Sequence, residues 1–332
     1  MIPTAEDFHA ARARLAGHIR RTPCRRSSAL SNRLGVPVWL KCEHRQETGA
    51  FKLRGATNAV LRLAPGSRGV TTASTGNHGR ALAHAARAAG LPAVICMSRL
   101  VPANKRTAVE ALGAEARIIG ASQDEAGQEA ARLVRDEGFA LIPPFDHADV
   151  IAGQATLGLE MAEEVPDAAA VLVPLSGGGL LAGVAAAMKA ETPGLRVIGV
   201  SMERGAAMAA SLAAGHPVEV QERPTLADSL GGGIGLDNRL TFRMVGDLMD
   251  DLILLTEAEI AAGIRHLAAV EGETVEGGGA VGVAALLAGK VRPGGPVVLP
   301  LTGANIDPAL HARIRAGETP EMDTDPCPTS AS

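Results

Sequence analysis

Short apolar runs alternate along most of this chain with longer segments in which apolar residues recur at helical spacing. Runs typical of strands occur at residues 36–41, 69–73, 93–97, 116–119, 139–142, 170–175, 196–201, 251–255 and 296–301. Helical spacing follows at residues 80–89, 105–112, 124–137, 154–165, 180–190, 205–214, 239–249, 257–271 and 281–288. Because parallel strands need a crossover between them, this alternation predicts an α/β fold with mostly parallel sheets.

The first part of the chain predicts two helices and places a lysine at the start of one. Residues 5–19 form the first, with Thr4 as N-cap and acidic residues in the first turn. The second begins near Lys52, because Phe51, Ala56, Ala59, Val60 and Leu63 fall on one side. The helix dipole and burial would both disfavour a charged ammonium there. Lys52 is then either a neutral nucleophile or a lysine whose ammonium stays in water. Taken alone, this stretch favours the second.

Composition limits the kinds of partner and the compartment. The 332 residues suffice for two domains, and the 46% hydrophobic and 2% aromatic content predicts close helix–sheet packing. The net charge of −4, with dispersed basic residues, predicts no nucleic-acid surface, and no uncharged run is long enough for a membrane span. Cys24, Cys42, Cys96 and Cys327 lack metal-type spacing, and the amphipathic N-terminus lacks a signal core. We therefore expect free thiols and a cytoplasmic location.

A glycine-rich turn at Ser176-Gly177-Gly178-Gly179 separates a predicted strand from a predicted helix. Backbone N–H groups in such a turn can converge on a phosphate at the helix N-terminus. The same residues fit a tight structural turn, and with Ala182 and Glu203 they also match a dinucleotide-binding fingerprint. A phosphate-bearing ligand is expected, and the turn alone leaves a nicotinamide cofactor open.

Three further polar segments are candidates for ligand contact. The turn at residues 74–79 could hold a carboxylate through N–H and hydroxyl donors, or could simply cap a helix. Thr302 ends a late strand and could meet a ring atom. Glu276 precedes three glycines and is either an acid facing a ligand or a solvated residue at a helix start, with the second favoured; Asp228 is equally ambiguous. Zincin, P-loop and acyl-hydrolase motifs are absent from the sequence.

Taken in order, five segments resemble those of fold-type II pyridoxal-phosphate enzymes, the tryptophan synthase β-like fold. They are residues 43–56 (EHRQETGAFKLRGA), 74–79 (STGNHG), 152–156 (AGQAT), 176–183 (SGGGLLAG) and 302–307 (TGANID). The chain looks most similar to the threonine/serine dehydratase and serine racemase branch, and residues 203–238 look closest to the dehydratases of hydroxyectoine utilisation. The resemblance covers nearly all the chain up to about residue 315.

The resemblance implies a set of cofactor contacts. Lys52 would hold pyridoxal phosphate through an imine, with Phe51 against the ring. The remaining cofactor-binding residues would be Ser176, Gly177, Gly178, Gly179 and Leu180 at the phosphate, Asn77 at the ring hydroxyl, Thr302 at the pyridine nitrogen, and Glu276. A neutral hydroxyl at Thr302 would leave that nitrogen largely unprotonated and so favour prompt loss of a β-substituent over reprotonation.

The resemblance also implies the substrate contacts and the reaction. Ser74, Thr75, Gly76 and His78 would surround the substrate carboxylate. Lys52 would remove the Cα proton, the β-hydroxyl would leave as water, and a 2-oxo acid and ammonia would result. Thr75, the second predicted catalytic residue, replaces the serine that racemases use as the opposite-face base, which puts racemisation in doubt.

Other departures from the family pattern concern the metal and the substrate. Glu203 matches a divalent-cation ligand of racemase-like members, but Ala209 stands at the later aspartate position, so a metal is uncertain. Gly127 replaces a family arginine, and Ala50 and Ser176 also differ from the usual residues. These changes suggest a substrate other than plain serine or threonine, but the sequence leaves serine, threonine, 3-hydroxyaspartate and a hydroxyectoine-derived diamino acid all open. An amino-acid racemase and a nicotinamide-dependent oxidoreductase are the alternatives.

The domain and assembly expectations follow from the same resemblance. Residues 1–67 and 147–317 would form a large domain that binds pyridoxal phosphate, and residues 68–146 a small domain. Residues 318–332, rich in Pro, Thr, Ser and Asp, are predicted to be a disordered tail. A homodimer is what the resemblance implies.

Overall fold

The computed structural model of the chain describes residues 1–74, 76–101 and 103–321, except the side chains of residues 104, 123 and 124. The strands are β1 (Cys24–Arg26), β2 (Val38–Lys41), β3 (Val70–Ala73), β4 (Ala93–Met97), β5 (Glu115–Ile118), β6 (Ala140–Leu141), β7 (Ala170–Pro174), β8 (Arg196–Met202), β9 (Asp251–Leu255) and β10 (Val297–Pro300). The predicted strands are therefore all present, with ends that shift by one or two residues.

The helices alternate with these strands. They are α1 (Ala5–Leu15), α2 (Ser28–Leu34), α3 (Lys52–Leu61), α4 (Asn77–Ala88), α5 (Ala103–Glu110), α6 (Gln123–Glu137), α7 (Ala148–Glu164), α8 (Gly179–Glu191), α9 (Ala207–Ala214), α10 (Thr241–Leu248), α11 (Glu257–Ala269), α12 (Gly277–Leu287) and α13 (Pro308–Arg315). The capping box of Thr4 and Asp7 starts α1 where the sequence predicts it. Helix α1 ends at Leu15, four residues earlier than predicted.

The strands form two sheets, which confirms the predicted α/β class. One has six strands in the order β1-β2-β10-β7-β8-β9, and the other has four in the order β5-β4-β3-β6. Within the described residues all neighbouring strands are parallel except β1 and β2. The four-stranded sheet lies within residues 70–141. The division into domains at residues 68 and 147 stays a prediction.

The six-stranded sheet is buried on both faces. Along β7, Leu172 packs with the core beneath α11 and α12, whereas Val171 and Val173 pack with the opposite core against α8. Side chains alternate between the faces of a strand, so a sheet covered by helices on both sides needs apolar residues at every position. This requirement explains the continuous apolar run that the sequence shows at β7.

Helix α7 begins six residues before the predicted start at Gln154. His147 caps it, with Nδ1 accepting from the N–H of Asp149. The helix carries Gly153 because its backbone meets α3 closely: a Cβ there would lie 2.6 Å from Cα of Gly55. Tight packing of α7 against α3 thus overrides the low helix propensity of the glycine.

The three glycines at residues 277–279 also lie inside a helix rather than before it. Helix α12 was expected from residue 281 but begins at Gly277, where a Cβ would lie 2.0 Å from the carbonyl oxygen of Leu226. Close approach of another backbone therefore requires glycine here. Three short elements were not expected at all: β1, α2 and α13.

A buried ionic network fixes α3 to the rest of the fold. Arg54, fully buried, donates to Glu43 through Nε at 2.7 Å and Nη2 at 2.8 Å, and to Glu160 through Nη1 at 2.7 Å. Lys41, also fully buried, contacts Glu160 at 2.7 Å and Glu164 at 2.9 Å. Paired charges of this kind are tolerated in an interior because each offsets the desolvation of the other.

Two other expectations concern the whole chain. The part of the chain that the structure describes contains no helix long and apolar enough to cross a membrane. Three cysteines, Cys24, Cys42 and Cys96, are free thiols as expected, and Cys327 lies outside the described residues. Most of the predicted tail, from residue 322, also lies outside them.

Candidate active site

Four polar segments meet where parallel strands end. Ser74 follows β3, Pro144 follows β6, Ser176 follows β7 and Thr302 follows β10, each at the carboxyl end of its strand. In open α/β sheets this edge is where ligands bind. The sequence-predicted site residues are thus brought to the carboxyl ends of both sheets.

Lys52 is the first residue of α3, as its helical context predicts. Its Nζ donates to the carbonyl oxygen of Pro144 at 2.7 Å and lies 5.3 Å from the centre of the Phe51 ring. Burial lowers the pKa of Lys52 to about 8. Lys52 is partly buried and its amine is bonded to a backbone carbonyl, which favours the nucleophile over a lysine head held in water.

The glycine turn leads directly into α8. Gly178 has a φ of 88°, a backbone conformation that favours glycine, and no side chain among the described residues caps the helix. A Cβ at Gly177 would lie 2.2 Å from the Phe145 ring, and one at Gly178 would lie 2.9 Å from Val245. The first N–H groups of α8 have no intrahelical partners, so the turn fits a phosphate at the helix N-terminus.

Phe145 connects the lysine to the glycine turn. Its ring lies against Gly177, and its backbone lies close to Gly179, where a Cβ would be 2.9 Å from Cα of Phe145. The preceding residue, Pro144, accepts the hydrogen bond from Lys52. The amine and the anion-binding turn therefore contact one pair of adjacent residues, as a single small ligand bound by both would require.

An amide–carboxyl cluster joins the two sheets beside this position. Asn77 donates through Nδ2 to Glu276 Oε1 at 2.7 Å, and Asn305 donates through Nδ2 to Asn77 Oδ1 at 2.6 Å. Asn305 also donates its backbone N–H to Glu276 at 3.0 Å and accepts from Arg80 Nη1 at 2.8 Å. An asparagine amide carries two N–H donors. Asn77 therefore has one N–H left for a ligand, which suits its predicted bond to a ring hydroxyl.

The favoured interpretation of Glu276 as a solvated residue is wrong. It stands at the N-cap of α12, as a helix-start residue, but is only 4% exposed. Burial, with the Asp228 carboxylate nearby, raises the pKa of Glu276 to about 7. The residue is therefore an acid enclosed in the site, and its contact with the cofactor stays a prediction.

Thr302 lies beside the start of α3. Its carbonyl oxygen accepts from the N–H of Phe51 at 3.0 Å, and the neighbouring Gly303 pairs with Ala50 in an isolated β-bridge. The Thr302 hydroxyl is buried and donates to the Gly278 carbonyl at 3.5 Å. This long bond leaves the hydroxyl available to a ligand atom, while the contact with a pyridine nitrogen stays a prediction.

His78 has a more restricted role than the sequence suggests. Its Nε2 lies 2.8 Å from the Ile142 carbonyl, which can only accept, so Nε2 carries the proton and Nδ1 is an acceptor without a partner among the described residues. Burial, with Lys52 close by, lowers the pKa of His78 to about 3. The neutral ring has no donor for a substrate carboxylate. Only the backbone N–H, in the first turn of α4, could supply one.

The remaining predicted substrate contacts surround the start of α4. Ser74 follows β3 and Gly76 is the N-cap of α4, and both are partly buried. Thr75, predicted to be catalytic, lies outside the described residues. The contacts of these residues with a substrate stay predictions.

The residues around Glu203 do not fit a divalent cation. The Glu203 side chain is 51% exposed, and Lys290 Nζ lies 3.8 Å from Oε1. Lys290 also donates to the Leu254 carbonyl and to Glu259, each at 2.8 Å. The described residues contain no group of three His, Cys, Asp or Glu side chains that could hold a metal. The Lys290 ammonium therefore lies beside the Glu203 carboxylate that a cation would need as its ligand.

Four contributors to the site were not predicted: Pro144, Phe145, Asn305 and Arg80. Residues 143–144 received no role from the sequence, although they follow the strand β6. Their position at the carboxyl end of a parallel strand is the signal that would have identified them, as it identifies Ser74 and Ser176. Arg80 shows no such signal, because its role depends on a contact with Asn305 from the other sheet.

Comparison with known proteins matches this geometry. Residues 15–303 match the model of the pyridoxal-phosphate dependent enzyme family. A Sinorhizobium fredii protein that carries the name of a threonine dehydratase is 58% identical, covering 94% of this chain and 95% of its own. An L-threonine ammonia-lyase from Thermotoga maritima is 40% identical, covering 94% and 78%.

A solved structure agrees with these relatives. Maize serine racemase superimposes with a TM-score of 0.89 at 32% identity, covering 96% of this chain and 98% of its own. The glycine turn and Lys52 therefore sit in a fold that uses pyridoxal phosphate, and the nicotinamide alternative gains no support. The chain belongs to the family of pyridoxal-phosphate-dependent enzymes.

Proposed function

We propose that the protein is an ammonia-lyase that converts a β-hydroxy amino acid of the threonine and serine class into a 2-oxo acid and ammonia. The observation that carries this proposal is the placement of Lys52 and the glycine turn against the same pair of residues, Pro144 and Phe145. The threonine dehydratase and ammonia-lyase names of the similar proteins favour elimination. The Lys52 amine and the turn that could bind a phosphate thus occur together.

Pyridoxal phosphate, when bound, supplies the electron sink that makes the Cα–H of an amino acid acidic. The glycine turn would bind its phosphate through backbone N–H groups at the start of α8, and Asn77 and Thr302 would orient the ring. These contacts set the position of the substrate Cα relative to Lys52.

Lys52 moves the proton in this proposal. With a pKa of about 8, about a tenth of the amine is uncharged at pH 7 and can accept the Cα proton. The Pro144 carbonyl holds one N–H of the amine, which directs the nitrogen lone pair elsewhere. Loss of the β-hydroxyl as water, followed by hydrolysis, gives one 2-oxo acid and one ammonia per substrate.

Racemisation is the alternative, because maize serine racemase shares the fold. It requires a second base on the opposite face of Cα, and Thr75 stands at that position in the sequence. Racemases that this chain resembles carry a serine there, so the replacement argues against racemisation. We infer that elimination predominates.

A substrate panel tests the proposal. The purified holoenzyme would be given L-threonine, L-serine, L-threo-3-hydroxyaspartate and a diamino acid that carries a 3-hydroxyl group, while ammonia, the 2-oxo acid and the D-enantiomer are measured. We expect equal amounts of ammonia and 2-oxo acid from at least one hydroxy amino acid, and D-enantiomer at a small fraction of that rate. Racemisation without ammonia release would overturn the proposal.

The finer assignments rest on the same resemblance. The hydroxyectoine branch predicts activity on the diamino acid rather than on threonine. A homodimer, which sedimentation of the holoenzyme would detect, and a cytoplasmic location also stay predictions.

A further inference from the structure

We propose that Asp146 is a positioning residue for Lys52 and for the glycine turn. The proposal rests on the proposed function, because the site that Asp146 organises is the pyridoxal-phosphate site. Asp146 touches neither group directly. It acts through the two residues that precede it, Pro144 and Phe145.

The carboxylate of Asp146 caps a helix that is distant in sequence. Oδ1 accepts from the backbone N–H groups of Leu240 and Thr241, each at 2.8 Å, and Oδ2 accepts from the N–H of Arg239 at 2.9 Å. Helix α10 has no capping side chain at its own N-cap, Leu240. A carboxylate at a helix N-terminus is stabilised both by these donors and by the helix dipole.

Helix α10 in turn supports the glycine turn. A Cβ at Gly178 would lie 2.9 Å from Val245 and 3.1 Å from Cβ of Thr241. The N-terminal half of α10 therefore packs closely against Gly178, the left-handed residue of the glycine-rich segment. The carboxylate thus joins the segment at residues 143–147 to the helix that backs the phosphate-binding turn.

The same segment carries the contacts of the amine. Pro144 accepts from Lys52 Nζ at 2.7 Å, and the Phe145 ring covers Gly177. On the other side of Asp146, the N–H of His147 bonds the Phe145 carbonyl at 2.8 Å. Residues 144 and 145 are followed directly by two anchored residues, Asp146, which is bonded to α10, and His147, which caps α7. Loss of the carboxylate would let the Pro144 carbonyl move relative to Lys52.

Two substitutions test the proposal: Asp146→Ala removes all the hydrogen bonds of the carboxylate, and Asp146→Asn removes only some of them. The asparagine keeps an acceptor for Leu240 and Thr241 but turns an N–H donor toward Arg239, so it should restore part of the function. The readout is the rate at which the purified apoprotein, mixed with pyridoxal phosphate, develops the absorption band that borohydride bleaches. We expect this rate to fall about 10- to 100-fold in Asp146→Ala and less in Asp146→Asn, since small displacements of reacting groups carry penalties of that size.

Two further measurements separate positioning from general stability. In the reconstituted enzyme, Asp146→Ala should lower kcat more than it raises KM, and the pH at which the rate is half-maximal should shift, because the acceptor of the Lys52 amine has moved. Asp250→Asn is the matched control. Asp250 also accepts a backbone N–H, from Val197 at 2.7 Å, but its ion pair is with Lys189, away from the site. It should lower the melting temperature without changing band formation or the pH profile.

The outcomes distinguish this inference from the proposed function. Wild-type protein that forms no borohydride-sensitive band would overturn the proposed function itself. Wild-type band formation that Asp146→Ala leaves unchanged would overturn only the role of Asp146. An equal effect of Asp250→Asn would also contradict it, since the change would then follow from lost stability.

Discussion

Asn77 donates a hydrogen bond to Glu276 at 2.7 Å. This contact joins α4, which follows β3 of the four-stranded sheet, to the start of α12 on the six-stranded sheet. Asn305 bonds both residues. The part of the site predicted to meet the ring hydroxyl therefore depends on the packing of the two sheets against each other. This part of the site also encloses the Glu276 carboxyl group, and its burial should change how the stability of the protein depends on pH.

Glu276→Gln should change how stability depends on pH. The pKa of Glu276 is raised from 4.5 to about 7, so between these values the native state holds a proton that the unfolded chain has lost. Its contribution to the free energy of unfolding therefore falls as pH rises through this window and levels off above it, by about 2–3 kcal/mol between pH 5 and pH 8. Urea unfolding of both proteins at the two pH values measures this.

The neutral glutamine should remove that contribution, so Glu276→Gln gains stability relative to wild type as pH rises. A surface substitution, Glu6→Gln, is the control and should keep the pH dependence of wild type. A difference between Glu276→Gln and wild type that stays constant from pH 5 to pH 8 would show that the carboxyl is charged throughout.

Arg54→Met should be strongly destabilising. It would leave Glu43, which is fully buried, without its guanidinium partner, although Lys41 would still contact Glu160. Removal of one partner of a buried ion pair costs about 3–5 kcal/mol. Chemical unfolding of the apoprotein measures this loss.

Arg313→Met is the matched control for that experiment. Arg313 pairs with Glu318 at 2.8 Å, but both side chains are about half exposed, so the free energy of unfolding should hardly change. Equal losses from the two variants would mean that the buried network contributes no more than a surface pair.

Gly178→Ala should weaken cofactor binding. Its φ of 88° strains an alanine, and the new Cβ would lie 2.9 Å from Val245. Gly66→Ala, with a φ of 95° and no heavy atom within 4 Å of the added Cβ, isolates the backbone cost of about 1 kcal/mol. We expect the dissociation constant for pyridoxal phosphate to rise roughly tenfold or more only in Gly178→Ala.

That constant can be measured by titrating apoprotein and following the absorption of the bound cofactor. If Gly178→Ala bound pyridoxal phosphate as tightly as wild type and lost only as much stability as Gly66→Ala, the phosphate would have to bind elsewhere.

Divalent cations should not change the thermal stability of the protein. The ammonium of Lys290 bonds Glu259 and the Leu254 carbonyl and lies near Glu203. Magnesium or calcium, compared with a chelator, should therefore shift the melting temperature by less than about 1 °C, whereas a specific ligand at a hundredfold its dissociation constant stabilises by about 2.7 kcal/mol. A clear rise of the melting temperature with either ion would contradict the assignment.

Sequence reasoning succeeded where a pattern repeats. Strand–helix alternation predicted the parallel sheets, and helical spacing after Phe51 placed Lys52 at a helix start. It failed where a distant backbone decides the local structure. The first helical position, 277, must be glycine because the carbonyl oxygen of Leu226 lies 2.0 Å from where a Cβ would be, and no local signal in the sequence reports that contact.

The same distinction applies to the site. Segments recognisable by composition, such as the glycine turn, were found. Glu276 was interpreted as solvated because a charged residue before glycines usually faces water, and only the packing of Asn77 and Asn305 reveals its burial. Asp146 has no sequence signal as a cap, since the helix that it caps begins 95 residues later.

The most direct test is to locate the covalent bond between the protein and its cofactor. Wild-type protein would be mixed with pyridoxal phosphate, reduced with borohydride, digested and examined by mass spectrometry, with Lys52→Ala and Lys105→Ala in parallel. The account predicts that the cofactor is attached to Lys52 in wild type and in Lys105→Ala, and that Lys52→Ala shows neither the attachment nor the absorption band. Attachment at another lysine, or none in wild type, would contradict it.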